Sequence, residues 1–90
     1  MKVKPLSKKL ENILKKYSLS KKYLKQKTLL EQNPHYPSLK FELLKETKDL
    51  NPQLYSFRLD SKYRAICIKL KGLNEVEVIS FFDHYERPLK

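Results

Sequence analysis

The chain of 90 residues has one glycine, one cysteine and no tryptophan. A single glycine excludes the glycine-rich loops that cradle nucleotide phosphates, and neither a G-x-G-x-x-G nor a Walker pattern occurs. A single cysteine, Cys67, excludes an intrachain disulfide and a cysteine-rich metal site. Cys67 lies in a strongly apolar run, which predicts a buried structural thiol rather than a nucleophile. No apolar stretch reaches the roughly 18 residues of a membrane-spanning helix, and no signal-type apolar core is present. The expectation is a cytoplasmic protein without membrane contact.

Acidic residues are scarce where basic ones crowd. Residues 1–30 hold ten lysines against Glu11 alone, whereas residues 31–90 are nearly balanced, and the formal net charge is +10. A hydrophobic content of 40% with 11% aromatics is ordinary for a folded domain, so this charge does not signal disorder. A segment this basic either contacts a polyanion or an acidic protein, or forms a solvated lysine coat. Ninety residues make one small domain with one modest core.

Lys2-Val3-Lys4 alternates like an edge strand. Ser7 is a candidate N-cap for a helix to about Tyr17, with Leu10, Ile13, Leu14 and Tyr17 on one stripe. Ser20 is a candidate cap for a second helix from about Lys21 to Gln32, with Tyr23, Leu24 and Leu30 inward. Asn33-Pro34 ends it. Leu39–Lys45 alternates as a strand, followed by a polar loop to Gln53. Three further runs, Leu54–Leu59, Tyr63–Leu70 and Glu75–Phe82, are parted by Asp60-Ser61-Lys62 and by residues 71–74, and read as an antiparallel meander. Pro88 predicts an irregular tail. The fold class is therefore α+β. Two N-terminal helices cover one face of a mostly antiparallel four-stranded sheet, to which a short N-terminal strand can add.

The meander carries Arg58 and Arg64 and runs into His84-Tyr85. Strand parity sets Arg58 opposite Phe57 and Leu59. Arg64 either frays outward at its strand end, or Tyr63, Ala65 and Cys67 form the inward set; alternation leaves both open. Meander connectivity can bring Arg58, Arg64, His84 and Tyr85 to one end of the sheet. Two guanidiniums grip a phosphate, an imidazole moves protons near neutrality, and a phenol stacks on a base or donates a hydrogen bond. Those are the parts an RNA-cleaving site needs. The plain alternative is a set of unrelated surface residues.

The ordered phrases Pro37-Ser38-Leu39-Lys40, Leu54-Tyr55-Ser56-Phe57-Arg58-Leu59, Lys62-Tyr63-Arg64-Ala65-Ile66 and Asp83-His84-Tyr85 resemble the RelE/ParE superfamily of type II toxin–antitoxin toxins. The resemblance covers roughly residues 34–86, and residues 1–33 fit in layout. It implies an mRNA interferase that cuts in the ribosomal A site and leaves a cyclic phosphate without metal or cofactor. It implies Arg64 on the scissile phosphate with Arg58 nearby. His84 would be acid or base, and Tyr85 would stack or orient, as in YoeB-type members. A carboxylate base falls to Glu42 or Glu46. Lys40, Lys45 and Lys48 stand where relatives keep basic residues. Lys21, Lys22 and Lys25 of the second helix are candidate RNA contacts. His84 and Tyr85 are adjacent here, where many relatives separate the two, which leaves the subfamily open.

The function expected on this basis is ribosome-dependent mRNA cleavage. The implied partners are the ribosome, mRNA and an acidic cognate antitoxin, with the toxin monomeric alone or heteromeric with that antitoxin. The alternatives are a ParE-like inhibitor of DNA gyrase and a catalytically inactive RNA- or antitoxin-binding module.

Overall fold

The computed structural model describes residues 1–70, 72 and 74–90. Strand β1 (Lys2–Val3) is followed by helices α1 (Lys8–Lys16) and α2 (Ser20–Gln32). The remaining strands are β2 (Glu42–Leu43), β3 (Leu54–Arg58), β4 (Tyr63–Lys69) and β5 (Glu75–Asp83). The sheet order is β1-β5-β4-β3-β2. Strand β1 runs parallel to β5 and every other pairing is antiparallel. This is the α+β arrangement read from the sequence, with the N-terminal strand included. The turn expected over residues 71–74 includes Lys71 and Leu73, which lie outside the described residues.

Helix α1 starts where Ser7 Oγ accepts a hydrogen bond from the Leu10 N–H at 3.3 Å. Its basic last turn, Lys15 and Lys16, suits the negative end of the helix dipole. Leu10, Ile13 and Leu14 are buried. The helix closes in a Schellman turn: Ser18 takes a left-handed φ of 57°, its N–H donates to Lys15 O, and the Leu19 N–H donates to Leu14 O at 2.8 Å. That turn drives Leu19 into the core and leaves only Tyr17, Ser18 and Leu19 between the helices. Leu19, not Ser20, therefore holds the cap position of α2, and no side-chain cap forms there.

Helix α2 buries Tyr23, Gln26 and Leu30, while Leu24 is 61% exposed. The expected inward leucine is thus replaced by a glutamine. Its amide nitrogen donates to Arg58 O at 2.8 Å and Ser38 O at 3.3 Å. Gln26 ties the helix layer to the end of β3.

The helix-facing side of the sheet carries Phe57, Ala65 and Phe81 in one row, all fully buried. Tyr55, Cys67 and Val78 form the next row. Tyr23 packs edge-on against Phe81 with centroids 5.8 Å apart. Burying a side chain such as Phe57 or Phe81 contributes about 1.5–3 kcal/mol, so these rows fix the register. Strand β5 carries a bulge: Ile66 pairs with Ser80 and Cys67 with Val78, leaving Ile79 as the extra residue.

One further expectation is corrected. The strand expected over Leu39–Lys45 is only two residues long. A 3₁₀ turn at Pro37–Leu39 precedes it, Lys40 takes a left-handed φ of 44°, and a second 3₁₀ turn at Lys45–Thr47 follows. The C-terminal tail is irregular, as expected, but it is pinned to the sheet. Pro88 bridges to Phe82, the Leu89 N–H donates to Phe81 O at 2.8 Å, and Leu89 is buried. No described helix is long and apolar enough to cross a membrane.

Candidate functional site

Register places the two arginines. Arg58 and Arg64 are direct partners across the β3–β4 ladder, on the face opposite Phe57 and Ala65. The next pair toward the turn is hydrogen-bonded, Leu59 N–H to Tyr63 O at 2.9 Å. Arg58 and Arg64 therefore occupy a non-hydrogen-bonded pair, where Cα atoms stand only about 4.5 Å apart. The inward set on β4 is Ala65 and Cys67, both fully buried, so strand parity, and not fraying at the strand end, turns Arg64 outward.

A cleft of about 270 Å³ opens over this pair. Lys40, Lys62 and His84 line it with the two arginines, as do Glu42, Asp60 and Glu86. Lys40 is turned toward it by its left-handed backbone at the end of the 3₁₀ turn. The β3–β4 turn forms one wall and is held by Asp60. Asp60 Oδ1 accepts from the Lys62 and Tyr63 N–H groups at 2.8 Å each, and Oδ2 pairs with Lys22 Nζ at 2.6 Å. Partial burial pushes the Asp60 carboxyl up, but the Lys22 hydrogen bond and those two N–H donors outweigh it and hold it below its ordinary value.

The opposite wall is the reverse turn after β5. Asp83 Oδ1 accepts from the Tyr85 N–H at 2.9 Å and the Arg87 N–H at 3.0 Å, and Oδ2 accepts from Arg87 Nε at 3.0 Å. The Arg87 N–H bond foremost, with those from Tyr85 and the Arg87 side chain, keeps the Asp83 carboxyl below its ordinary value. His84 and Glu86 line the cleft. Tyr85 does not. It is 66% exposed, leans on the His84 ring with centroids 3.9 Å apart, and carries Arg87 over its face.

Arg64 is the polar centre of this site. Its Nη2 meets Glu86 Oε1 at 3.3 Å, and its Nε is buried without a hydrogen-bond partner. Glu86 itself is held at a left-handed φ of 61° with its side chain 75% exposed. Its carboxylate sits where an external anion would meet Arg64. Sequence reasoning missed Glu86 and named Glu42 and Glu46 as carboxylates. Glu42 lines the cleft, whereas Glu46 lines a neighbouring groove.

Of the lysines read as RNA contacts, only Lys40 lines the cleft. Lys22 reaches it indirectly, through Asp60. Lys45 lines the groove, and Lys48, Lys21 and Lys25 are exposed outside both. The groove, about 620 Å³, runs down the same sheet face over Leu43, Leu44, Leu54, Ile66, Ile79 and Phe82. It shares Glu42, Arg64 and Glu86 with the cleft, so the two are continuous.

Cys67 is buried, and burial pushes its thiol up to about 12, which leaves it inert as a nucleophile at neutral pH. Among the described residues no group of three His, Cys, Asp or Glu side chains is placed to hold a metal ion. Chemically, the cleft offers guanidiniums for a tetrahedral anion, an imidazole within the same space, and carboxylates beside both.

No family model matches the chain, and no curated protein matches it.

Proposed function

We propose that the protein is the toxin of a type II toxin–antitoxin system and inhibits translation by cutting mRNA on the ribosome. The observation that carries the reading is the cross-strand pair Arg58–Arg64 with His84 in the same cleft. The ordered likeness of residues 34–86 to RelE/ParE toxins supports it. The RNA supplies its own nucleophile. The 2′-hydroxyl attacks the adjacent phosphorus, its proton passes to a cleft carboxylate, Glu42 or Glu86, and the P–O5′ bond breaks as His84 protonates the leaving oxygen. The products are a 2′,3′-cyclic phosphate and a 5′-hydroxyl. Arg58 and Arg64 hold the two non-bridging oxygens as charge builds on them. Tyr85, outside the cleft and 66% exposed, stacks on a base next to the cut.

The basic first third of the chain contacts ribosomal RNA through Lys21, Lys25 and the other exposed lysines of α1 and α2. An acidic cognate antitoxin neutralises the toxin until it is removed. The test is toeprinting of translating ribosomes mixed with the pure protein. New A-site stops that vanish in Arg64→Ala and His84→Ala are expected. Absence of stops under conditions in which an established interferase cuts rejects the nuclease. Growth arrest that survives His84→Ala moves the protein to a non-nuclease mode such as gyrase inhibition.

A further inference from the structure

The cleft is built from two walls of different strength. The strand wall, Arg58 and Arg64, is fixed by sheet register and by the buried rows beneath it. The other wall is a five-residue turn, Asp83 to Arg87, with His84, Tyr85, Glu86 and Arg87 all exposed. No buried apolar side chain of that turn holds it down. Its far end is pinned beyond Arg87, where the Leu89 N–H donates to Phe81 O and Leu89 is buried, but within the turn the hydrogen bonding centres on one residue. The Asp83 N–H donates to Arg87 O at 2.9 Å, and the Glu86 N–H donates to Asp83 O at 3.0 Å. The Asp83 carboxylate adds the bonds from Tyr85 N–H, Arg87 N–H and Arg87 Nε. Asp83 thus spans the turn from end to end. It also fixes the peptides on both sides of His84 and supports the left-handed backbone of Glu86.

We infer that Asp83 is the positioning residue of the cleft, holding His84 and Glu86 against the Arg58–Arg64 pair. Its carboxylate faces the turn backbone and Arg87 rather than the cleft, so it acts through His84 and not on substrate. Arg87 stacks on Tyr85 at the same time, which links Asp83 to the outward pose of that ring. The inference rests on the reading of the cleft as a phosphodiester site, and it makes a distinction that reading does not. Phosphate grip belongs to the strands, whereas proton transfer depends on Asp83.

The experiment compares wild type, Asp83→Asn, Asp83→Ala and Asp83→Glu by mRNA cleavage on ribosomes and by NMR of the His84 ring during titration with inorganic phosphate. Asparagine keeps an acceptor oxygen for the Tyr85 and Arg87 N–H groups, so its kcat should stay within about threefold of wild type. Alanine removes the acceptor and should lower kcat about 10–100-fold with KM nearly unchanged, since a displacement of about 1 Å at a reacting group costs that much. Glutamate keeps the charge but moves the acceptor by one methylene, and should fall with alanine. The His84 ring resonances should respond to phosphate in wild type and Asp83→Asn, and lose most of that response in the other two. If Asp83→Ala does not fold, the Asp83→Asn and Asp83→Glu pair decides alone. Wild-type kcat in Asp83→Glu, or equal damage in Asp83→Asn and Asp83→Glu, overturns the inference. If wild type makes no cuts, the nuclease reading fails while the phosphate titration still decides the role of Asp83; no response of His84 to phosphate in wild type overturns that role.

Discussion

Arg58 and Arg64 face each other across β3 and β4 in a close, non-hydrogen-bonded pair, on the sheet face turned away from the helices. Like charges directly opposite on a ladder destabilise it, by roughly 0.2–1 kcal/mol on the scale of cross-strand pairs. Glu86 relieves part of this at Arg64. An anion bridging both guanidiniums relieves more. Inorganic phosphate should therefore raise the melting temperature of the wild type. In Arg58→Ala and Arg64→Ala the melting temperature without phosphate should hold or rise slightly, and the gain with phosphate should disappear. Cleavage should fall about 100-fold or more in Arg64→Ala, the scale for losing one transition-state donor. Melting scans with and without phosphate check the first part. A phosphate response retained in the double variant Arg58→Ala/Arg64→Ala counts against a shared anion site.

Gln26 predicts a second effect, on stability. Its amide is the side-chain donor to the Arg58 carbonyl at 2.8 Å, from a buried position on α2. Gln26→Leu fits the space but leaves that carbonyl and Ser38 O without their side-chain donor. Loss of a buried partner costs about 1–3 kcal/mol, and chemical denaturation should show a drop of that size. Because the bond anchors the end of β3, cleavage should weaken as well. An unchanged unfolding midpoint would mean that the Arg58 carbonyl finds another donor.

Much of the fold was legible because periodicity and caps act locally. The α1 stripe, the Ser7 cap and the meander all follow from spacing of apolar residues. The failures came from tertiary features that spacing does not encode. Leu24 looks inward by composition, yet Gln26 takes the buried place because two backbone carbonyls need a donor there. In β5, unbroken alternation would set Val76, Val78, Phe82 and His84 on one side. The bulge at Ile79 reverses the parity midway. It sends Phe81 into the core and leaves Phe82 and His84 on the side of Arg64. Arg58, Arg64 and His84 stand out by residue type, and the meander brings them to line one cleft. Glu86 escaped notice because its role depends on a left-handed turn that nothing in the local sequence announces. Tyr85 was placed with the others by adjacency alone, and it points away.

Asp60 predicts the acid behaviour of the turn that walls the cleft. Its folded-state carboxyl lies below the ordinary value of 3.8. Burial acts against this, and Lys22 with the Lys62 and Tyr63 N–H groups more than offsets it. A lowered folded value means that the unfolded chain takes up the proton first. The stabilisation is therefore complete above the ordinary carboxylate range and is lost as pH falls through the lowered value. Asp60→Asn should lose stability at neutral pH and lose less on acidification below about pH 4 than wild type does. Lys22→Met should move the Asp60 carboxyl back toward its ordinary value in an NMR titration. Parallel acid-side stability curves for wild type and Asp60→Asn would refute this.

The groove beside the cleft predicts where the proposed acidic antitoxin would lie. The chain carries a formal +10, with its lysines concentrated in residues 1–30, whereas the apolar groove lies on the open sheet face. The apolar residues Leu54, Ile66, Ile79 and Phe82 line the open sheet face and end at Arg64. A partner segment with apolar side chains in the groove and a carboxylate at its end can displace Glu86 from Arg64 and close the cleft in one step. Ile79, the 42% exposed bulge residue, lines the groove but not the cleft. Ile79→Glu should therefore weaken binding of the proposed acidic antitoxin by about 2 kcal/mol or more, the scale of an interface hot spot, while leaving free cleavage intact. Rising salt should slow association of the wild-type pair more than it speeds dissociation, because the lysines act in steering. Titration calorimetry and stopped-flow mixing measure both. Binding that tolerates Ile79→Glu but fails when Lys21 and Lys25 are made glutamate would put the partner on the helices and leave the groove to the RNA.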